Sequence, residues 1–289
     1  MILLKIKHID AGGRLDKYLL KFLKNAPTGF IYKMLRKKNI VLNGKKAAGN
    51  EFLKENDEVK LFLADETIVK FGGKVTLSQT ADREYVATAE DSIESSSDDS
   101  LYNFLKSLKW EFDEPKVIYE DRDIIILNKP VNVLSQIAKL GDVSMNEWLI
   151  SYLIKSGSIS ANDLITVKPA VANRLDRNTS GIILAGKTLS GLRFLSDIIK
   201  TRKIEKYYLT IVKGEMKENI TAEAYLLKND SHNTVKIYKE KVQGAEYIKT
   251  AYEVLKATSG HSLLRVKLIT GKSHQIRAHL SFLGYPVIG

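Results

Sequence analysis

Hydrophobic and polar positions change their period several times along the chain. Leu15, Tyr18, Leu19, Phe22 and Leu23 recur at helical spacing. They predict an amphipathic helix with Asp16 in its first turn, where the helix dipole favours a carboxylate. Pro27-Thr28 is expected to end that element and cap the next. Phe30, Ile31, Met34 and Leu35 form the apolar stripe of a second helix. Ile40-Val41-Leu42 reads as a short strand, Asn43-Gly44 as a two-residue hairpin turn, and Val59-Lys60-Leu61-Phe62 as a further strand. The periodicity is then lost. The run from Ala89 to Ser100 is acidic and serine-rich, and it carries too little apolar surface to fold alone.

Beyond residue 115 the pattern returns. Ile124-Ile-Ile-Leu127 and Ile182-Ile-Leu-Ala185 predict buried strands. Met145, Trp148, Leu149, Tyr152 and Leu153 predict a helix, as do Leu192, Leu195 and Ile199. Strand patterns follow at 206–212, 221–227, 248–255 and 262–269, and Gly271 leads into a last helix with Ile276, Leu280 and Leu283 on its apolar face. The expectation is an α+β protein: a small αβ domain over 12–64, a partly disordered linker over 65–115, and a second domain over 116–289 with a mixed, largely antiparallel sheet. No internal repeat is present.

Composition narrows the partner. Of 289 residues, 45 are Lys or Arg and 34 are Asp or Glu, a formal net charge of +11. Such an excess favours a polyanion, nucleic acid ahead of a membrane surface. No apolar run approaches the ~20 residues that span a bilayer, and the stretch from Met1 to His8 is too short for a signal peptide. With no cysteine, disulfides, thiolate nucleophiles and cysteine-ligated zinc are excluded, and a cytoplasmic location is expected. Asn178-Thr179-Ser180 matches a glycosylation sequon, but nothing else suggests secretion. The positive charge is concentrated: Lys33, Arg36, Lys37 and Lys38 lie on or just beyond the second helix, and Lys45 and Lys46 follow the hairpin turn. Together they make an anion-binding surface; the alternative is a solvated helix face.

Two motif matches lead nowhere. Gly181–Thr188 fits the phosphate-loop pattern, but polar residues precede Gly181 and the loop positions are strand-like, the reverse of what a phosphate loop requires. No nucleotide is therefore expected. His274 and His279 are five apart, where zinc ligands on a helix are four apart, so no metal is expected. There is no G-x-S-x-G elbow. What remains is the polar segment from Asn173 to Gly181, in which Asp176 lies between Arg174 and Arg177. A carboxylate flanked by guanidinium groups is held in its charged form and can serve as nucleophile or base. A structural aspartate capping a loop through Thr179 and Ser180 explains the same residues, and on these residues alone both readings stand.

Two resemblances extend this. Arg14–Tyr18 with Thr28–Gly44, about fifty residues in all, resembles the S-four-like RNA-binding domain, a small αβ module named after a ribosomal small-subunit protein. The resemblance implies that Arg36, Lys37, Lys38 and Lys45 face RNA. Arg174–Gly181 resembles the signature of the RluA/RluC/RluD family of pseudouridine synthases. Three more segments agree in order: Val117–Pro130 with the opening motif, Lys206–Gly214 with the tyrosine-bearing segment, and Thr270–Gly289 with the closing motif. By resemblance Asp176 is the catalytic residue, Tyr208 stacks on the uracil, and Arg277 pairs with the catalytic carboxylate. Arg174 would fill the space left by the extruded uridine, and Lys129 and Lys272 are either phosphate contacts or solubilising surface lysines. No cofactor or metal is implied.

The implied reaction is isomerisation of uridine to pseudouridine in RNA, most readily large-subunit ribosomal RNA, by a monomer. The alternative is a non-catalytic RNA-binding or ribosome-associated protein. The sequence departs from the family in two places. Asn173 stands where the family more often has His, which predicts altered hydrogen bonding in the loop. The sequence ends at Gly289, where the family continues, which predicts a catalytic domain truncated at its C-terminus.

Overall fold

In the computed structural model the described residues are 1–72, 97–139, 142–229 and 234–288. Of the expected linker, 73–96 lies outside them. The chain forms two compact units, Met1–Asp197 and Ile198–Gly289. The division falls inside the region expected as the second domain.

The first unit opens with β1 (Ile2–Lys5), then α1 (Leu15–Phe22), α2 (Thr28–Arg36), β2 (Ile40–Leu42), β3 (Lys45–Lys46), β4 (Glu58–Leu61) and α3 (Asp65–Lys70). The four strands form an antiparallel sheet in the order β1-β4-β2-β3. The turn between β2 and β3 has Asn43 at φ 50° and Gly44 at φ 71°, both left-handed, as this hairpin turn requires. Leu15, Leu19, Ile31 and Leu35 of the two helices are buried with Ile40, Val59 and Leu61 of the sheet in one core. Strand β1 belongs to this core, pairing Ile2 with Leu61 and Leu4 with Val59, so the module begins ahead of residue 12. Thr28 does not cap α2. Pro27 holds the cap position and no side chain accepts a hydrogen bond there.

The rest of the unit contains α4 (Ser97–Lys106), β5 (Lys116–Glu120), β6 (Ile124–Lys129), α5 (Met145–Lys155), α6 (Asp163–Thr166), β7 (Ala170–Val171), β8 (Gly181–Gly186) and α7 (Leu189–Lys200), which runs through the division. Its sheet is antiparallel in the order β5-β6-β8-β7. Ile125 and Leu127 of β6 and Ile183 and Ala185 of β8 bury one face against Met145, Leu149 and Leu153 of α5. Ser144 caps α5 in a capping box with Glu147.

The phosphate-loop lookalike is explained here. Residues 181–186 are strand β8, the Lys187 ammonium is paired with Glu120 at 2.6 Å, and the Thr188 hydroxyl accepts from Gly191 N–H at 3.0 Å to start α7. Gly191 is required by close approach: a Cβ there would stand 2.1 Å from the Asp123 carbonyl oxygen. Gly191→Ala is expected to destabilise the protein by about 3 kcal/mol, measured as a lower denaturation midpoint. An unchanged midpoint would contradict this packing.

The second unit contains β9 (Tyr207–Lys213), β10 (Ile220–Asn229), β11 (Thr234–Tyr238), β12 (Glu246–Ala257), β13 (His261–Leu268) and α8 (Gln275–Phe282). Its sheet is antiparallel in the order β11-β10-β12-β13-β9. Val212, Tyr252, Leu264 and Val266 pack against Leu280 of α8. The chain is thus α+β, and every strand ladder among the described residues is antiparallel. Among the described residues no helix is long and apolar enough to cross a membrane.

Candidate functional site

The polar segment 173–180 connects β7 to β8, two antiparallel neighbours. It is half-exposed but tightly anchored. Asn173 extends the ladder with its side chain: its Oδ1 accepts from Leu184 N–H at 2.7 Å and its Nδ2 donates to the Ile182 carbonyl at 3.1 Å. Leu175 is held at both backbone ends by buried Ser135, whose hydroxyl accepts from Leu175 N–H at 2.9 Å and donates to the Leu175 carbonyl at 2.8 Å. Asp176 opens a turn closed by Thr179 N–H donating to the Asp176 carbonyl at 3.0 Å, with aspartate in the position that such turns favour. Gly181 ends the segment at φ 131°, a conformation closed to other residues.

The third anchor is Lys129, at the end of β6 opposite Gly181. It is 0% exposed. Its ammonium donates to three carbonyls: Val133 at 2.7 Å, Pro130 at 2.8 Å and Arg177 at 3.1 Å. All three N–H donors of the ammonium are thereby used. Burial pushes its pKa down to about 8, against the opposing pull of the Asp176 charge. The expectation of a surface lysine on phosphate is corrected here: Lys129 faces inward because the loop after Pro130 and the loop bearing Asp176 both aim carbonyls at it. Ser135 and Asn173 complete the anchoring. Sequence reasoning attached no role to Ser135, since a lone serine carries no distinctive signal.

Around this loop Arg174 and Arg177 are exposed and Asp176 is half-buried. In the N-terminal module Lys33, Arg36, Lys37, Lys38, Lys45 and Lys46 are all exposed, and Lys45 and Lys46 form β3, beside β2. In the second unit Tyr208 lies on β9, packed against the cluster that α8 buries. Arg277 lies half-buried on that helix. The Lys272 ammonium is engaged with Glu246, so it is a surface lysine that already has a partner. His274 precedes α8 in a left-handed conformation at φ 54°. His279 is buried, with its Nδ1 3.2 Å from the Thr250 hydroxyl, and burial lowers its pKa.

The sequence pattern of the family described as RNA pseudouridylate synthase matches residues 123–282. That span holds Lys129, Ser135, the Asp176 loop, Tyr208 and Arg277. Ribosomal large subunit pseudouridine synthase D of Borreliella burgdorferi is 36% identical over 175 residues, 60% of this chain and 52% of that protein. Ribosomal large subunit pseudouridine synthase C of Pasteurella multocida is 28% identical over 291 residues, 99% of this chain and 76% of that protein. The chain thus spans about half the length of the first relative and about three quarters of the second. The solved human RNA Pseudouridylate Synthase Domain Containing 4 superposes with a TM-score of 0.49 at 18% identity, covering 66% of this chain and 70% of that one. The family pattern covers more than half of the sequence and includes the whole anchored loop, and the chain belongs to the RNA pseudouridylate synthase family.

Proposed function

We propose that the chain isomerises uridine to pseudouridine in large-subunit ribosomal RNA, with Asp176 as the catalytic residue. The observation that carries the reading is the anchoring of residues 173–177 by Asn173, Ser135 and Lys129, which presents one half-buried carboxylate on a rigid loop. Catalytic groups gain most from such fixed placement. The reaction breaks the bond between C1′ and N1 of the uracil, turns the base, and joins C1′ to C5. The C5 proton leaves and N1 is protonated, so the change is an isomerisation that balances without a cofactor. Asp176 either attacks C1′ or removes the neighbouring ribose proton to give a glycal. Tyr208 for the uracil and Arg277 for the carboxylate are the roles that their motifs imply. The target uridine must leave its stack, which costs a few kcal/mol, and Arg174 is the residue that fills the space in this reading. The N-terminal module, with its resemblance to the S-four-like domain, holds structured RNA through its basic face. The protein acts as a monomer in the cytoplasm, where ribosomal RNA is found.

The test is to incubate the protein with transcribed large-subunit ribosomal RNA and, separately, transfer RNA, and to map pseudouridine in each. Conversion in neither would end the catalytic reading, and conversion in transfer RNA alone would correct the substrate. The basic face is tested by replacing Lys37 and Lys38 with glutamine. The slope of log affinity against log salt is expected to become shallower by roughly 1.5 for the two lost cations. An unchanged slope would make this face a solvated surface only.

A further inference from the structure

The first unit has a second feature beside the Asp176 loop. A groove of about 470 Å³ is lined by Phe104, Leu108, Lys109, Phe112, Asp142 and Arg177, among others. Phe104 and Phe112 are exposed, at 52% and 40%. Phe112 is the outer member of a series of rings reaching the core. It meets Trp110 edge-on at 5.2 Å, Trp110 meets Trp148 at 6.4 Å, and Trp148 stacks on Tyr152 at 5.2 Å. Trp148 is buried and its Nε1 donates to Glu114 at 2.8 Å. The Trp110 Nε1 donates to the Asp113 carbonyl at 3.0 Å. An aromatic ring held at the surface in this way binds with little loss of side-chain freedom.

The lining combines exposed aromatic rings with two cations. Lys109 and Arg177 have no ion-pair partner among the described residues, whereas the Asp142 carboxylate accepts from Ala138 and Lys139 N–H at 3.1 and 2.8 Å. Glu111 also lines the groove, so its formal charges balance, and Lys109 and Arg177 are the groups left to meet a phosphate. The wall is also continuous with the candidate active site, since Arg177 directly follows Asp176 and its carbonyl is held by Lys129. Aromatic faces beside unpaired cations are how proteins hold single-stranded RNA: bases stack on the rings and phosphates meet the charges.

We infer that this groove binds an unpaired nucleotide flanking the target uridine, with its base stacked on Phe112 and its phosphate met by Lys109 and Arg177. The inference rests on the reading of the chain as an RNA uridine isomerase and adds a specificity subsite to it. The probe is a stem-loop RNA with an all-uridine loop, together with versions in which each loop position in turn is abasic. Phe112→Ala is expected to weaken binding of the intact stem-loop roughly tenfold. One abasic position should weaken wild-type binding by a similar factor and cause no further loss in the variant. Phe112→Leu, which keeps apolar contact with Trp110, should lose affinity as alanine does, and Phe112→Trp should retain it. Both hold the test should the alanine variant fold poorly. Wild-type affinity in Phe112→Ala and Phe112→Leu, or losses that add at every abasic position, would overturn the inference. Reading the same RNA for pseudouridine keeps the two claims apart. Coupled losses without conversion support the groove and count against the catalytic reading, whereas normal conversion without coupling defeats the groove alone.

Discussion

Replacing Asp176 with asparagine is expected to abolish pseudouridine formation, a loss of at least roughly a thousandfold in kcat/KM, while RNA affinity changes by less than about twofold. Asparagine has the same shape and cannot act as a nucleophile or base at this step. The local structure should survive, because the anchors act on backbone atoms. Ser135 holds Leu175 through its N–H and carbonyl, Lys129 holds the Arg177 carbonyl, and the turn is closed on the Asp176 carbonyl. None of these uses the Asp176 carboxylate. A fold-preserving change that removes turnover but not binding separates chemistry from recognition. The C5 hydrogen must leave uracil as the new carbon–carbon bond forms, so release of label from RNA carrying tritium at C5 reports the reaction directly. Normal release by the asparagine variant would remove Asp176 from the mechanism. An equally large fall in RNA affinity would show instead that the residue serves binding or folding.

The parts of the fold that were legible in the sequence are those where local pattern and tertiary demand coincide. Leu15, Leu19, Leu192 and Leu195 follow helical spacing because each helix buries one face. Asn43-Gly44 marks its hairpin because two successive left-handed residues are required there. Strand β1 escaped notice because it is short and its partner, β4, lies far along the chain. No window of sequence contains that pairing. Strand β11 leaves little signal either: Thr234–Tyr238 lies at the sheet edge with a weakly apolar pattern. At the candidate site the motif around Asp176 was readable, but what fixes it in place was not. Ser135 and Asn173 each act through one or two polar atoms on distant backbone groups, which leaves no trace in composition or periodicity. Lys129 was expected at the surface because lysines usually are. Three carbonyls converge on it only once β6, the loop after Pro130 and the Asp176 loop are brought together.

That convergence makes Lys129→Met the second large expected effect. Methionine fills similar space but donates no hydrogen bond, so the carbonyls of Pro130, Val133 and Arg177 lose their donor together. Orphaned buried acceptors cost about 1–3 kcal/mol each, and relief of the buried ammonium offsets part of this. A net loss of about 3 kcal/mol is expected at neutral pH, with pseudouridine formation falling at least tenfold because the Asp176 loop is released. The pH dependence provides a sharper test. The Lys129 pKa is pushed from 10.5 down to about 8 by burial. Between those values the unfolded chain holds a proton that the folded chain has lost, so folded stability rises with pH in that window. Below about pH 8 both states are protonated and the contribution is level. Activity should move the opposite way: above about pH 8 the cation beside Asp176 is lost, and a neutral amine offers two donors to three carbonyls. Denaturation midpoints of the wild type minus those of Lys129→Met, taken across this window, isolate the residue from other titrating groups. A difference that stays flat would show that the ammonium does not titrate there, and wild-type turnover in the variant would mean that the Asp176 loop does not depend on Lys129.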